Sequence, residues 1–341
     1  MKFLKKINYQ ILFWILNADS GDAPVATGGK RKIDFAVGGQ AVIEGVMMRS
    51  PETIAIAVRK PKGDISIDRR LYKAVIHKYK ALNVVIVRGV INLFEMMIIG
   101  TKAINHSASE ALDEGEEQEE GNKLLESVMF ALSFVIAIAF SIFLFKFIPL
   151  AMTTFLEKYV PAIANNYVLF NFIDGVLKML IFISYIKLLT LGKDFRRIFE
   201  YHGAEHKAIF NYEKNLPLTV ENSRIQSRFH PRCGTSFIFI VFAISILVYT
   251  FVPKQDTFWM NLLVRLAFLP LIAGISYEYL KLSAKYVNNA FVRALVAPGM
   301  WFQRLTTSEP DDSQLEVSIA SLEAALQQDT EDQSPTGDQN K

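Results

Sequence analysis

The sequence has little cysteine and little charge, and each shortage argues against a class of protein. Among 341 residues there is one cysteine, Cys233, which has no second cysteine to pair with. This excludes the disulfide frameworks on which small secreted domains depend. Only 21% of the residues are charged, whereas 51% are hydrophobic and 12% are aromatic. Because the hydrophobic residues are also gathered into long runs, the composition argues against an ordinary soluble globular protein.

The longest apolar runs have the length of membrane-spanning helices. Residues 127–145 and 235–252 contain no charged residue, and each approaches the roughly 20 residues that cross a hydrocarbon layer of about 30 Å. Two further runs have a similar length but are interrupted by charged residues. The sequence therefore predicts four spans, at residues 127–155, 167–191, 235–252 and 258–282.

Positive charge sets the expected orientation of these spans. Lys and Arg number thirteen in residues 30–88 and eight in the loop 192–234, but the two loops on the opposite side carry one lysine each. Loops rich in Lys and Arg stay in the cytoplasm. Both termini and the loop 192–234 are therefore expected to be cytoplasmic.

Outside the spans, composition divides the chain further. Alternating apolar residues around a Pro-Lys-Gly turn predict a small β-rich unit, and a short run interrupted by charges predicts a helix that is interfacial or re-entrant. The start of the chain fits either a retained amphipathic anchor or a cleaved signal peptide. A helical pattern at 310–328 predicts a docking helix within the acidic tail. The segments are an N-terminal anchor and linker (1–32), a β-rich cytoplasmic unit (33–83), an interfacial or re-entrant helix (84–105), an acidic loop (106–126), a four-span membrane domain (127–308) and an acidic C-terminal tail (309–341).

The expected fold class is thus a predominantly α-helical multi-pass membrane protein. It has about four transmembrane helices, an interfacial helix and a small β-rich N-terminal cytoplasmic unit.

Two histidines and a glutamate in the central loop have the pattern of a metal site. His202 and His206 are four residues apart in a segment of helical periodicity, so both imidazoles are expected on one helix face, close enough to hold one ion. With Glu205 between them, the order His-x-x-Glu-His is the inverse of the metallohydrolase motif His-Glu-x-x-His. Glu205 is then expected to take a proton from water bound to the ion.

A second group of candidate ligands comes just before the third span. His230 and Cys233 have the short spacing with which one loop supplies two ligands to a metal. Glu278, at a similar depth, is a further candidate, either as a ligand or as the partner of one. Nitrogen and sulfur ligands favour zinc among the divalent metals. Three protein ligands would leave a position open for catalysis, whereas four would close the site and make it structural.

Two simpler interpretations of the same residues stay open. The histidines can be core residues with satisfied hydrogen bonds, and Cys233 can be an inert buried thiol.

Three charged residues inside the predicted spans are also candidates for function. Asp174 and Lys178 are four residues apart and can pair on one helix face, and Arg265 lies at a comparable depth in the fourth span. A charged residue within a membrane span destabilises the inserted helix by roughly several kcal/mol unless it is paired or hydrated. They indicate either a transport pathway or an ion pair that holds two spans together.

Four blocks of the sequence together resemble a known family. They are residues 38–49 (GGQAVIEGVMMR), 201–207 (YHGAEHK), 230–237 (HPRCGTSF) and 298–307 (PGMWFQRLTT). In this order, over residues 33–328, they resemble the YqhQ-like family of bacterial membrane proteins, which contain a domain of unknown function numbered 1385. The resemblance implies a location in the bacterial cytoplasmic membrane and the label of a predicted metal-dependent enzyme. That label would attach to His202, Glu205, His206, His230 and Cys233.

The first block and three arginines supply candidates for substrate binding. The glycines of the block suit tight turns or a close approach of the backbone. Glu44 and Arg49 are expected either to line a pocket near the metal or to pair with each other. Arg49, Arg88 and Arg232 are candidates to contact an anionic group of a substrate.

These features lead to one hypothesis and two alternatives. The hypothesis is a metal-dependent integral membrane enzyme, using zinc, that hydrolyses a peptide, ester or amide bond in a membrane-associated substrate at the cytoplasmic face. One alternative is a non-catalytic membrane scaffold with a structural zinc site, and the other is a transporter that uses the intramembrane charges. The lipid bilayer and an unknown membrane-associated substrate are the expected partners, and no nucleic acid is expected.

Overall fold

The computed structural model describes residues 37–112, 123–286 and 289–327. The predicted N-terminal anchor and linker lies outside the described residues, as do the middle of the predicted acidic loop and the end of the predicted acidic tail. The described chain is mostly helical and has one small antiparallel sheet near its start, which confirms that part of the expected fold class.

The strands and helices follow one another with short connections. The strands are β1 (Gly38–Val42), β2 (Gly45–Arg49), β3 (Thr53–Arg59) and β4 (Ile65–Leu71). The helices are α1 (Val75–Lys78), α2 (Val87–Glu110), α3 (Lys123–Ile142), α4 (Ile148–Glu157), α5 (Pro161–Ala164), α6 (Tyr167–Leu189), α7 (Lys193–Glu213), α8 (Val220–Arg224), α9 (Gly234–Thr250), α10 (Phe258–Ala267), α11 (Leu269–Lys285), α12 (Ala290–Thr306) and α13 (Asp312–Leu326). A 3₁₀ turn at Lys80–Leu82 precedes α2, and a π-helical segment at Phe143–Phe147 joins α3 to α4.

Each strand pairs antiparallel with the next, so the spatial order of the sheet is β1-β2-β3-β4. The hairpin between β1 and β2 closes with two residues, Ile43 and Glu44, and Glu44 adopts a φ of 50°. Tight hairpin turns require such positive φ values. Gly45, opposite Val58, has no room for a side chain, because a Cβ there would lie 2.2 Å from the carbonyl oxygen of Ala57.

Helices cover both faces of the sheet. One face packs against α2 through the buried side chains of Val42, Met47 and Ile56, which surround Ala103. The other face packs against α7 and α13. The buried residues of that second core include Val46, Met48, Ala55, Ala57, Tyr201, Val317 and Leu322. Because alternate residues of a strand face opposite sides and both sides are covered, β2 and β3 are apolar along most of their length.

The interfacial or re-entrant helix predicted at residues 84–105 corresponds to α2, which continues further, to Glu110. Its start packs closely against α11: a Cβ at Gly89 would lie 2.8 Å from the Cβ of Tyr277. The side-chain amide of Asn92 also donates a hydrogen bond to the Tyr277 hydroxyl at 2.7 Å. The second half of α2 lies on the sheet, so this helix connects the sheet to the apolar helices.

Part of the predicted acidic tail is folded onto the sheet as α13. The helix begins with a capping box in which the side chains of Asp311 and Gln314 each accept a hydrogen bond from the other residue's N–H. Leu315 and Leu322 are fully buried. The acidic residues of this segment do not prevent burial, because its apolar side chains recur at helical spacing.

Two helices in the described part of the chain are long and apolar enough to cross a membrane. One is continuous through α3, the π-helical segment and α4 (Ala131–Glu157), and the other through α10 and α11 (Phe258–Ser283). The apolar helix α9 is shorter, at 17 residues. These helices give weak support to membrane association, which is a coarser statement than the four-span arrangement that the sequence predicts.

Candidate metal centre

Helix α7 carries three of the candidate site residues. It begins after Gly192, and its periodicity places His202 and His206 one turn apart, with ring centroids 4.5 Å apart. Side chains four residues apart share a helix face. The two imidazoles therefore face the same side of α7, as the sequence predicts.

His202 is held by the main chain at the end of α12. Its Nδ1 lies 2.7 Å from the carbonyl oxygen of Thr306. A carbonyl oxygen only accepts hydrogen bonds, so Nδ1 carries a proton. The other ring nitrogen, Nε2, lies 3.1 Å from the Sγ of Cys233.

His206 is held in the same way by a different segment. Its Nδ1 lies 2.5 Å from the carbonyl oxygen of Arg228 and must also donate. The side chain is 1% exposed, and its Nε2 has no hydrogen-bond partner among the described residues. A buried nitrogen without a partner is costly in a folded protein, so Nε2 has the capacity to bind a further group.

Cys233 lies in the turn before α9 and caps the first turn of that helix. Its Sγ accepts a hydrogen bond from the N–H of Thr235 at 3.4 Å. One ligand atom from each of His202, His206 and Cys233 lies within 4.8 Å of the other two. Among the described residues these three form the group that can hold a metal ion.

The charges of this group favour a thiolate. Burial raises the pKa of the Cys233 thiol, but the imidazoles of His202 and His206 outweigh burial and hold the pKa well below its ordinary value. Burial likewise opposes a charge on His202, yet the thiolate and Glu205 raise the pKa of that imidazole to about 9. Metals bind the thiolate form of cysteine and the neutral form of histidine. The sulfur therefore has the protonation state of a ligand, whereas His202 would have to lose a proton to bind an ion through Nε2.

Glu205 lies beside the three converging residues, on the side of α7 that faces the sheet. The carboxyl is 5% exposed, and burial raises its pKa above the ordinary value although His206 and His202 act in the opposite direction. Strand β1 leaves room for it: a Cβ on Gly39 would lie 3.0 Å from the Cγ of Glu205. A carboxylate whose pKa is raised is a stronger base than an exposed one while it is ionised, which suits a proton acceptor.

His230 is buried next to His206, with ring centroids 5.7 Å apart, but other groups hold it. Its Nε2 lies 3.3 Å from the carboxylate of Glu213, and its Nδ1 accepts from the N–H of Arg232 at 3.3 Å. Burial lowers the pKa of His230 to about 3, so the ring is neutral. Both ring nitrogens are therefore engaged, and the role of His230 as a fourth ligand stays a prediction.

Glu278 and two candidate substrate-binding arginines are paired with other charges. The guanidinium of Arg88 contacts the carboxylate of Glu278 at 2.6 and 2.5 Å and joins α2 to α11. Arg232 forms an ion pair with Glu213. The ion pairs give each of these groups a structural partner, and their predicted roles at the metal or the substrate stay predictions.

Glu44 and Arg49, in the first of the four sequence blocks, do not contact each other. Glu44 forms an ion pair with Arg197 of α7, with one Nη2–Oε2 distance of 2.5 Å. The guanidinium of Arg49 stacks over the ring of Tyr72 at 4.5 Å, and its Nη1 lies 2.8 Å from the Sδ of Met96. The Glu44–Arg197 ion pair thus joins the hairpin turn to α7. The contacts of Arg49 join β2 to Met96 of α2 and to Tyr72, which follows β4.

The three charged residues predicted within the spans form one buried network. The Nη1 of Arg265 lies 2.5 Å from the Oδ2 of Asp174, and the Nζ of Lys178 lies 3.2 Å from the same oxygen. Arg265 also contacts the Oδ1 of Asn171 at 2.6 Å. These contacts join α6 to α10, and Asp174 is only 1% exposed.

Sequence reasoning missed several residues that hold the centre in place. Thr306 and Arg228 act through their carbonyl oxygens, so their side chains give no signal. The side chain of Gln303 makes two hydrogen bonds to the main chain of His230. Its amide oxygen accepts from the His230 N–H at 2.8 Å, and its amide nitrogen donates to the His230 carbonyl oxygen at 2.7 Å. Gln303 and Thr306 lie in the sequence block 298–307, so the family resemblance of that block is the signal by which sequence analysis could have identified them.

The donor set fits a zinc ion. Two imidazole nitrogens and one thiolate are ligands that zinc prefers. The Nδ1–H groups of both histidines donate to main-chain carbonyls, the arrangement that orients metal-bound histidines in proteins. The unpartnered Nε2 of His206 gives this fit its most direct structural support.

The chain is therefore a mostly helical protein with a small antiparallel sheet and a His-His-Cys group in which His206 and Cys233 are buried and His202 is partly buried. It belongs to the family described as "Protein of unknown function (DUF1385)", which matches residues 84–328. It is also 37% identical, over 308 residues, to "Uncharacterized protein YqhQ" of Bacillus subtilis (strain 168), an alignment that covers 87% of this chain and 94% of that protein. No solved structure matches the chain. The family resemblance seen in the four sequence blocks is confirmed.

Proposed function

We propose that this protein is a membrane-bound hydrolase that uses a divalent metal, zinc by the nature of its ligands. One observation carries the proposal. The Nδ1–H groups of His202 and His206 both donate to main-chain carbonyls, which leaves the Nε2 of His206 without a partner and the Nε2 of His202 3.1 Å from the Cys233 sulfur. The ligand atoms of the two histidines and Cys233 lie within 4.8 Å of one another, which is the convergence that a shared metal ion requires.

The residues of the centre have distinct roles in this proposal. Zinc, when bound, polarises a carbonyl group and lowers the pKa of water. Glu205 accepts a proton from the attacking water and returns it to the leaving group. Its burial keeps competing bulk water away from the carboxylate.

Three converging ligands support catalysis over a closed structural site. A structural zinc site is completed by four protein ligands, whereas a catalytic site keeps one position open. His230 would be the fourth ligand of a scaffold, and both of its ring nitrogens are in hydrogen bonds to other groups.

The membrane part of the proposal is a four-span protein whose termini and metal centre face the cytoplasm. The helix Ala131–Glu157 is strongly apolar, and its most apolar stretch is not buried in protein. An unburied apolar helix of this length is typical of a membrane span, which supports the proposal. The Lys and Arg bias of the loops supports a cytoplasmic location of the centre in a bacterial plasma membrane.

The contacts of the buried charges support a structural role more than transport. A single carboxylate, that of Asp174, is shared by Lys178 and Arg265 from two helices. Paired charges of this kind join helices inside a membrane. We therefore keep transport as the lesser alternative.

Metal analysis of the purified full-length protein tests the proposal first. We expect one equivalent of zinc, with X-ray absorption showing one sulfur, two nitrogen neighbours and an additional light oxygen neighbour. One sulfur with three nitrogens would instead favour the structural scaffold. Protein purified without added chelator that neither contains nor takes up a divalent metal would refute the proposal.

The catalytic part is tested by a pair of isosteric variants on the same helix. Glu205→Gln is expected to keep the metal and to lower hydrolysis by about 100- to 10,000-fold, the usual contribution of a general base. Glu200→Gln is the control, because Glu200 contacts Arg196 and Gln314 away from the centre. Hydrolysis is measured on peptide and phospholipid-ester pools, and equal rates in both variants would contradict the role of Glu205.

A further inference from the structure

The chain between β4 and the middle of α2 folds back on itself, with its tip at Ile86. The main-chain N–H of Val75 donates a hydrogen bond to the Oε1 of Glu95 at 3.0 Å, so the chain before the tip meets the helix that follows it. Tyr72 and Met96, from the two limbs, also pack against the same apolar core of the sheet. Both limbs therefore have their outer ends at the sheet, and the tip points away from it.

The tip packs against α11, within the long apolar helix Phe258–Ser283. A Cβ at Gly274 would lie 2.3 Å from the Cγ2 of Ile86, so the missing side chain of Gly274 lets the tip approach that helix. The N–H of Ile86 donates to the carboxylate of Glu278, and the N–H of Gly89 donates to the Ile86 carbonyl at 3.0 Å. These polar main-chain groups of the tip have protein partners, which irregular backbone needs at membrane depth.

The contact with α11 gives the depth of the tip. Gly274 lies nine residues before the end of the apolar helix at Ser283, or about 14 Å along the helix axis. One leaflet of hydrocarbon is about 15 Å thick. When the cytoplasmic end of α11 is at the membrane surface, Ile86 lies inside the cytoplasmic leaflet and the sheet lies outside it.

The exposed side chains of this segment are apolar up to a definite point. Val84 and Val85, next to the tip, are 55% and 59% exposed, and Phe94 and Ile98 on α2 are 58% and 54% exposed. One helical turn beyond Ile98, the exposed side chain is Lys102. Exposed apolar side chains in this number call for an apolar partner, and the change at Lys102 marks where that partner ends.

The charge around the apolar surface is almost entirely positive. Residues 69–109 contain seven Lys and Arg and one acidic residue, Glu95, which bonds to the main chain of Val75. Lys78 before the tip, Lys102 on α2 and Lys281 near the end of α11 are exposed. Anionic lipids give the cytoplasmic leaflet a negative surface that attracts such lysines.

We propose that residues 79–98 form a re-entrant segment in the cytoplasmic leaflet, covered by anionic phospholipids whose phosphate groups bind Lys78, Lys102 and Lys281. This inference rests on the membrane part of the proposed function and does not depend on the metal or on hydrolysis. One phospholipid molecule supplies acyl chains for the exposed apolar residues and a phosphate for the lysines. A soluble protein partner does not reach the depth of Gly274. The segment thereby anchors the sheet, which packs on the second half of α2, at the membrane surface.

Thiol labelling of the full-length protein in lipid nanodiscs, with one copy in each disc, tests this placement. The variants are Phe94→Cys, Asn105→Cys and Val135→Cys, and all three positions are exposed in the protein. Phe94 and Asn105 lie about three turns apart on one side of α2, so they form a matched pair. Phe94→Cys is expected to react with a charged maleimide about 10-fold or more slowly than Asn105→Cys, because a thiol among acyl chains forms little thiolate. The wild type gives the background from buried Cys233.

Val135→Cys, in the proposed first span, separates failure of this inference from failure of the membrane arrangement. If Phe94→Cys reacts as fast as Asn105→Cys while Val135→Cys is protected, the re-entrant inference is overturned and the span stands. If all three variants react equally fast, the membrane part of the proposed function fails. A second copy of the chain cannot cause the protection, because each disc holds one.

A nitroxide label distinguishes a re-entrant segment from a helix that lies flat on the membrane. Its depth in the nanodisc is measured by its relative accessibility to oxygen and to a water-soluble nickel chelate. The label at Val85→Cys is expected to lie deeper than the label at Phe94→Cys, since Val85 is next to the tip. Equal depths would overturn the re-entrant arrangement.

Native mass spectrometry of the full-length protein in detergent tests the charged border. Lys78→Gln and Lys102→Gln are each expected to weaken the binding of phosphatidylglycerol about 5-fold, the effect of one lysine near an anionic lipid surface, and to leave phosphatidylcholine binding unchanged. Lys214→Gln, at an exposed position after α7, is the control. Glycerol phosphate, which lacks acyl chains, is expected not to bind at the same concentration. Equal affinities for phosphatidylglycerol in all variants, or equal binding of glycerol phosphate, would overturn the assignment of lipid to this surface.

Discussion

A methyl group added at Gly203 is expected to weaken metal binding while the protein stays folded. Gly203 follows His202 on α7, and a Cβ there would lie 2.1 Å from the carbonyl oxygen of Ser308. Ordinary contact begins at 3.4 Å, so in Gly203→Ala the segment around Ser308 must move by about 1.3 Å. Thr306, two residues earlier in that segment, accepts the 2.7 Å hydrogen bond from His202.

The size of the effect follows from that hydrogen bond. A displacement of about 1 Å takes a 2.7 Å contact beyond the range of a good hydrogen bond, which ends near 3.2 Å. Removing the group that orients a metal-binding histidine lowers metal affinity by about 10- to 100-fold, or roughly 1.4–2.7 kcal/mol. The protein is expected to stay folded, because alanine is the better helix residue by about 1 kcal/mol and this gain offsets part of the cost of moving the Ser308 segment.

The measurement is the zinc dissociation constant by competition with a chromophoric chelator, together with thermal unfolding. Gly38→Ala is the matched control, because a Cβ at Gly38 meets nothing within 4 Å. We expect a weaker zinc affinity only in Gly203→Ala. A Gly203→Ala protein that unfolds like the wild type and binds zinc with unchanged affinity would refute the link between Ser308, Thr306 and His202.

Two other substitutions test the centre and the buried charges. His206→Ala is expected to lose the metal, whereas His106→Ala should keep it, because the His106 ring lies near Asp68 on the far side of the β unit; equal metal contents by elemental analysis would contradict the ligand assignment. Asp174→Asn leaves two buried cations without their carboxylate and is expected to cost about 3–5 kcal/mol of unfolding free energy in detergent. The control, measured in the same detergent, is Asp194→Asn in the exposed first turn of α7, which should cost no more than about 1 kcal/mol. An Asp174 variant as stable as its control would count against the structural role of that network.

Local patterns were sufficient to predict the elements that carry the site. Residues four apart lie on one helix face whatever surrounds the helix, so the pairing of His202 with His206 followed from spacing alone. The small antiparallel sheet followed from alternation and turn residues. The apolar helices followed from length and composition.

Sequence patterns did not predict which groups individual side chains contact. Glu278 was a candidate ligand by depth, but Arg88 holds it, and His230 was a candidate by spacing, but Glu213 and Gln303 hold its ring and its loop. Depth and spacing restrict which elements can meet. They do not say which of several nearby groups a flexible side chain contacts.

The sequence by itself determined the helix that presents two imidazoles on one side, because backbone geometry sets that periodicity residue by residue. Only the tertiary structure decided that Cys233 joins them and that Thr306 and Arg228 orient them through their carbonyls. These contacts join segments far apart in the chain, and they depend on how α7, α9 and α12 pack. Main-chain carbonyls are common to all residues, so no residue type could have marked them in advance.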